Sequence, residues 1–164
     1  MSIPVHLSLT DSNGSPIRGS SLVAGREGSI EILRFSHGMH IPFDGNSGML
    51  TGTRVHSPIV VEKDIDRSSP YLYRALCQHQ TLQKGIFRWY QINDAGHESE
   101  FFNITVENIK ICTINPLLPH IKSHTEDRPA VPCETMFIAY EKITWCYLEG
   151  NIQYSDQWNS RSYA

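Results

Sequence analysis

Eight histidines and four cysteines are the residues best equipped for chemistry in this 164-residue chain. His37 and His40 stand where a strand runs into a loop, and His120 and His124 lie four apart in a proline-rich stretch. Neither pair has a third ligand nearby in sequence and HExxH is absent, so both read as solvated or packing imidazoles. A thiol nucleophile needs a histidine base and an electropositive setting. Cys112 and Cys146 fall inside expected strands as small buried hydrophobes, Cys77 lies on an expected helix, and Cys133, beside prolines, is the thiol expected to be exposed. No CxxC occurs, and a chain this size folds without bridges, so all are read as reduced. The carboxylate pairs Asp64/Asp66 and Glu98/Glu100 stand at strand or turn edges and read as solvated faces. Gly14, Gly45 and Gly96 fit turns and form neither GxGxxG nor a P-loop. The reading is of a chain without catalytic residues, cofactor or metal.

The framework that would position these groups is mostly β. Val5, Leu7 and Leu9 alternate with His6 and Ser8, a turn follows at DSNGSPIRG, and residues 29–35 form a strand apolar on both parities. Residues 38–54, GMHIPFDGNSGMLTGTR, hold four glycines and a proline and form a long, extended, exposed loop. Residues 55–61 return to β character, with Pro58 marking an edge, bulge or strand start. A single helix is expected over 69–80, with Ser69 as N-cap, Pro70 in the first helical position, and Leu72, Ala75, Leu76 and His79 on one face. LQKGIFRWYQI, NDAG and SEFFNITVENIKICTI spell a hairpin, with a parity change near Glu107 and Asn108 that predicts a bulge. Residues 115–132 carry four prolines and form a surface loop. One long strand, 135–148, and a return arm through Ile152 and Tyr154 close the chain, residues 1–164 making one domain without repeats.

Charge and hydropathy narrow the partners. Fourteen basic against seventeen acidic residues give net -3, with no Lys/Arg cluster, which argues against nucleic acid. No apolar run approaches the ~20 residues of a membrane span, and the first residues alternate instead of forming a leader, so neither membrane insertion nor a cleavable signal is expected. Several strands are apolar on both faces. Phe87 and Trp89 oppose Ile86, Tyr90 and Ile92, while Met136, Ile138 and Tyr140 oppose Phe137, Ile143 and Trp145. A sheet with one wet face alternates instead. One face fills a barrel or sandwich, the helix shields part of the other, and a second copy of the chain covers the rest, which predicts self-association. The competing arrangement buries Trp89 and Trp145 beneath the two long loops.

REGSIEIL at 26–33, TGTRVHSPIVVEKDID at 51–66, SSPYLYRAL at 68–76, FRWYQINDAG at 87–96 and YEKITWCYLEGNIQYSDQWN at 140–159 together resemble the Hcp family, the tube proteins of bacterial type VI secretion. The resemblance implies a compact antiparallel β-barrel of two sheets with one flanking helix. It further implies homohexameric rings that stack into a hollow tube, a VgrG-type spike at the tip, a contractile sheath that ejects the tube, and small effector cargo in the lumen. The protein would then be cytoplasmic before assembly and secreted without a signal peptide, with no C-terminal toxin extension. By matching segments, residues 38–54 correspond to the family's protruding loop, making Met39, His40, Ile41, Phe43 and Met49 ring-stacking residues. Ser36 in RFSHG corresponds to a small polar pore-lining position, although simple alternation puts Arg34 and Ile32 on its face. Trp89 and Trp145 are left as protomer–protomer or core aromatics. The rival reading is a monomeric β-sandwich carbohydrate-binding module using Trp89 or Trp158.

Overall fold

The computed structural model of the chain describes residues 3–121 and 131–160, so His124 lies outside the described residues. Alternation builds β1 (Val5–Thr10), whose Val5, Leu7 and Leu9 are buried in the core. Across a turn lies β2 (Pro16–Ile17). The expected strand at 29–35 is two short strands, β3 (Ile30–Ile32) and β4 (Arg34–Ser36), broken at Leu33. β3 pairs with β1, while β4 pairs with β7 (Ile59–Asp64). That break resets the alternation: Ile32 is buried, whereas Leu33, Arg34 and Ser36 face outward, so Ser36 does not share a face with Ile32.

Between β4 and β7 the chain makes an arm rather than a featureless loop. β5 (Met39–His40) pairs with β6 (Val55–His56), Phe43 bridges to Leu50, and Pro58 falls in the gap before β7. The helix α1 runs from Ser69 to Cys77 and is shorter than the expected 69–80. Ser68, not Ser69, holds the N-cap position and makes no side-chain cap bond, which places Pro70 second in the helix. His79 lies beyond the helix at φ 53°, and the bonds from Gln80 N–H to Ala75 O and from His79 N–H to Leu76 O close the end as a Schellman motif. The buried stripe is therefore Leu72 and Ala75 with Leu76 packed beside them, without His79.

The hairpin of β8 (Leu82–Ile92) and β9 (Glu98–Leu117) turns through residues 93–97. Its bulges lie at Trp89/Tyr90 and, against β10 (Cys133–Ala139), at Phe137/Ile138. No bulge sits at Glu107 and Asn108. There β9 changes partner instead, from β11 (Lys142–Tyr147) over residues 102–107 to β10 beyond residue 110, with Asn108 at φ 53° between them. The expected single strand at 135–148 is accordingly two strands, β10 and β11, interrupted at Tyr140 and Glu141. The interruption also turns Ile143 onto the core side, where it is fully buried, correcting its expected outward direction. β12 (Ile152–Gln157) returns along β11.

Pairing runs β1–β8–β9–β10–β7 and returns to β1 through β4 and β3, so the antiparallel sheet closes on itself. That is the mainly β barrel with one helix expected from sequence. Residues 115–117, expected in a surface loop, are the end of β9 paired with β10, and residues 118–121 continue outside the strand ladder. Inside, Leu7, Ile30, Ile59, Val61, Phe87, Val106, Met136, Ile138 and Ile143 form the core. Trp89 is packed among Phe35 at 5.0 Å, Phe102 at 5.4 Å and Phe87 at 6.4 Å. Trp145, half-buried, is stacked between His37 and Tyr154. Phe87→Ala is expected to cost about 3–5 kcal/mol and Trp145→Ala less, because part of the Trp145 ring already meets solvent; urea denaturation ranks the two. An equal or larger loss at Trp145 would contradict this placement.

Candidate functional site

Among the described residues, the arm at 38–56 gathers the largest set of outward apolar side chains carried by one segment. Phe43, Met49 and Leu50 at its tip are 67%, 70% and 66% exposed, and Met39, Ile41 and Val55 are also exposed nearer the barrel. Apolar side chains presented together in this way mark a contact surface on a soluble protein. The tip is preorganised. The Asp44 carboxylate accepts hydrogen bonds from the Asn46 and Ser47 N–H groups and the Ser47 hydroxyl, while Asp44 N–H donates to Met49 O and Gly48 N–H to Asp44 O. Gly48, at φ 70°, supplies the left-handed residue of this turn, and Gly45 lies within the turn as expected.

The root of the arm is clamped to the barrel by polar groups. Arg54 holds the Asp156 carboxylate through Nε and Nη2, and Nη2 also donates to Gln157 O at 3.0 Å and Ser160 Oγ at 2.7 Å. His56 Nε2 meets Asp156 Oδ2 at 2.8 Å, and its Nδ1 meets the Tyr140 hydroxyl at 2.7 Å. His37 Nε2 reaches the same hydroxyl at 2.7 Å. Trp158 lies flat on His56, with centroids 5.6 Å apart, and edge-on to Tyr140. The bond from Arg54 pushes the Asp156 carboxyl down to about 2, so it stays charged under ordinary conditions. Burial, and then the neighbouring charge of His56, lower His37; burial raises Tyr140.

Asp156, His56 and Tyr140 have the order of an acid–base relay, but Tyr140 is 4% exposed and its hydroxyl is filled by two imidazoles, leaving no place for a reacting atom. The relay is structural. Among the described residues no three His, Cys, Asp or Glu side chains are grouped as a metal would need, and no helix is long and apolar enough to cross a membrane. All four cysteines are free. Cys112, expected to be buried, is exposed on β9; Cys133 is only half-exposed, and burial with Glu62 beside it raises its thiol, which makes it a poor nucleophile. His40 is exposed on the arm.

Of the carboxylates read as solvated, Asp64 is exposed as expected, whereas Asp66, Glu98 and Glu100 are engaged. Glu98 is paired with Arg26, whose guanidinium lies 3.6 Å above the Tyr90 ring, and Glu100 accepts from Asn103 and faces Arg88. Arg26, Arg88, Tyr90 and Glu100 line a cleft of about 470 Å³ beside His6, in which Arg18 and Glu27 also stand. Asp66 accepts from Lys63 Nζ at 2.9 Å and from the Ser68 N–H at the start of α1. Lys63 is 0% exposed and meets Glu134, 1% exposed, at 2.7 Å across the β7–β10 ladder. The sequence did carry a signal for this pair. Lys63 continues the inward parity of Ile59 and Val61, and Glu134 that of Met136 and Ile138.

Ser36 lies in an open hollow of the β4–β7–β10 sheet with Arg34, Val60, Glu62, Thr135 and Phe137, a mixed polar and apolar wall. The aromatics proposed as a sugar platform are not free for one: Trp89 is packed on the core, and Trp158 covers the root of the arm.

Residues 6–147 match the family model described as type VI secretion system effector, Hcp. The major exported protein of Pseudomonas aeruginosa PAO1 is 29% identical over 98% of both chains. Among solved structures, a mutant of Hcp1 from E. coli EAEC 042 is 48% identical with a TM-score of 0.85, the alignment covering 96% of this chain and 99% of that one. Secreted protein Hcp3 of P. aeruginosa, at 24% identity and TM-score 0.79 over 97% and 100% of the chains, shares the fold.

Proposed function

The chain belongs to the Hcp family of type VI secretion, and we propose that it is the structural subunit of the secretion tube, residues 1–164 acting as one unit. Subunits close into homohexameric rings and rings stack into a hollow tube, which a contractile sheath ejects behind a VgrG-type spike. The observation that carries this reading is the preorganised apolar arm, a protrusion costly to leave in water and shaped to seat on another molecule. Met39, Ile41, Phe43 and Met49 would bury against the adjacent ring, with His40 at the arm's flank. Trp145, with Tyr154 and Ile152 on the exposed terminal hairpin, would contribute to the contact between protomers. Ser36 and the hollow around it would form the lumen wall, polar enough to stay wet and with Phe137 and Val60 to hold a small effector. Export from the cytoplasm agrees with the name of the P. aeruginosa relative, a major exported protein.

Negative-stain electron microscopy and light scattering of the purified protein test the assembly. Annular particles are expected, and tubes at higher concentration. A stable monomer at micromolar concentration would overturn the reading.

A further inference from the structure

Two histidines at the root of the arm share one phenol. A tyrosine hydroxyl has one hydrogen to donate and can accept as well, while a carboxylate only accepts. His56 Nε2 faces the Asp156 carboxylate and so carries a hydrogen in either charge state. With both rings neutral, Tyr140 donates to His56 Nδ1 and accepts from His37 Nε2–H, which satisfies both contacts to the phenol. A proton added to His56 reverses the chain: Nδ1–H donates to the Tyr140 oxygen, and the hydroxyl swings to His37 Nε2 as that ring shifts its own hydrogen to Nδ1, where the Ser57 backbone accepts it. A second proton, on His37, has no such solution. Both rings would then donate to one phenol oxygen, whose own hydrogen would have no acceptor. Of the two cations only His56 would have a carboxylate partner, Asp156, and that one is already committed to Arg54.

The root therefore accepts one imidazolium charge but not two. We propose that His37, Tyr140 and His56 form an acid-release latch: protonation of the second histidine breaks their shared hydrogen bonds and frees the arm from the barrel, weakening the ring-to-ring contact that the arm makes. The last step rests on the stacking role proposed above. The charged and titratable groups facing the latch are Arg54 from the arm, Asp156 and Tyr154 from β12, and Tyr140 from the β10–β11 junction; Trp145 and Trp158 cover it with neutral rings.

The direction follows from linkage. His37 titrates below its ordinary value when latched, mainly because it is buried, so the released arm binds the proton better. Latching is at full strength above the free-histidine value of about 6.5 and is lost as the pH falls from there through the lowered one. Asp156 loses its charge only between 3.8 and about 2, below that window. His6 is also lowered by burial, but it bonds Ser29 on the opposite connection and has no part in the arm.

Hydrogen–deuterium exchange of the full-length protein, expressed as protection factors for residues 38–56 at about pH 5 and about pH 7.5, tests the latch. Protection is expected to fall roughly tenfold in acid, while the barrel strands keep theirs. In His37→Gln, whose amide N–H donates to Tyr140 without titrating, the arm should stay protected at both values. Tyr140→Phe, which removes the shared hydroxyl, should leave it unprotected at both. Unchanged protection in the parent protein, or acid loss retained in His37→Gln, overturns the latch. Sedimentation of tubes under the same conditions separates the two readings. Tubes that persist while the arm is released overturn the stacking role and leave the latch standing; tubes lost without release of the arm overturn the latch alone.

Discussion

The double substitution Phe43→Asp, Met49→Asp is expected to abolish assembly of the proposed tube while moving the melting temperature of the subunit by no more than about 1–2 °C. Both side chains are about two-thirds exposed, and the turn that presents them is tied by Asp44 and Ser47, which the substitutions leave in place. The isolated fold thus loses little. At a ring junction the balance is different. Each apolar side chain removed from water there is worth about 1.5–3 kcal/mol, and an aspartate forced into the same site adds a desolvation cost of similar or larger size. In the proposed ring the loss would recur at every protomer, so a change that is small per arm would be decisive for the stack. Sedimentation and electron microscopy of the variant beside its thermal melt give the answer. Normal tubes would remove the arm from the stacking interface. A large fall in melting temperature would mean that the tip belongs to the core, contrary to its exposure.

Much of this architecture was legible because period-two alternation is local. Val5, Leu7 and Leu9 announced β1, the NDAG turn announced the β8–β9 hairpin, and the glycine-rich stretch at 38–54 announced an exposed segment, later found to be a paired arm. The failures have a common physical origin in strands that change partners. Leu33, Asn108 and Tyr140–Glu141 are the places where the chain passes from one set of neighbours to another, and each resets or interrupts the alternation. A parity change looks the same in sequence whether it comes from a bulge or from a corner, hence the misplaced bulge at residues 107–108 and the outward reading of Ile143. The arm's apolar residues were visible as types in a loop. Its polar root was not, since Tyr140 and Asp156 lie 84 and 100 positions from His56 along the chain and only folding brings them together.

The buried charges under α1 give the larger effect on stability. Lys63→Met is expected to destabilise the fold by about 3–5 kcal/mol, because it strands a carboxylate in the interior. Lys63 Nζ serves Glu134 Oε1, Asp66 Oδ1, the Asp64 carbonyl and the Ser69 hydroxyl, all from a side chain with no exposure. Without it Glu134 keeps only the bond donated by Ser69, and its Oε2, already without a partner, becomes the end of an uncompensated charge. Asp66 retains the Ser68 N–H and hydroxyl, so the start of α1 should survive better than the β7–β10 junction. For a chain this long the loss corresponds to roughly 6–20 °C in melting temperature. Adding Glu134→Met should recover much of it, because two apolar side chains facing each other across the ladder leave no buried charge between the strands and replace a pair that was expensive to desolvate. The double-mutant cycle, read by urea denaturation, therefore has a sign as well as a size: the double variant must be more stable than Lys63→Met alone. If the two losses simply add, Lys63 and Glu134 are not a coupled pair, and the packing of α1 onto the barrel rests on Leu72 and Ala75 without electrostatic help.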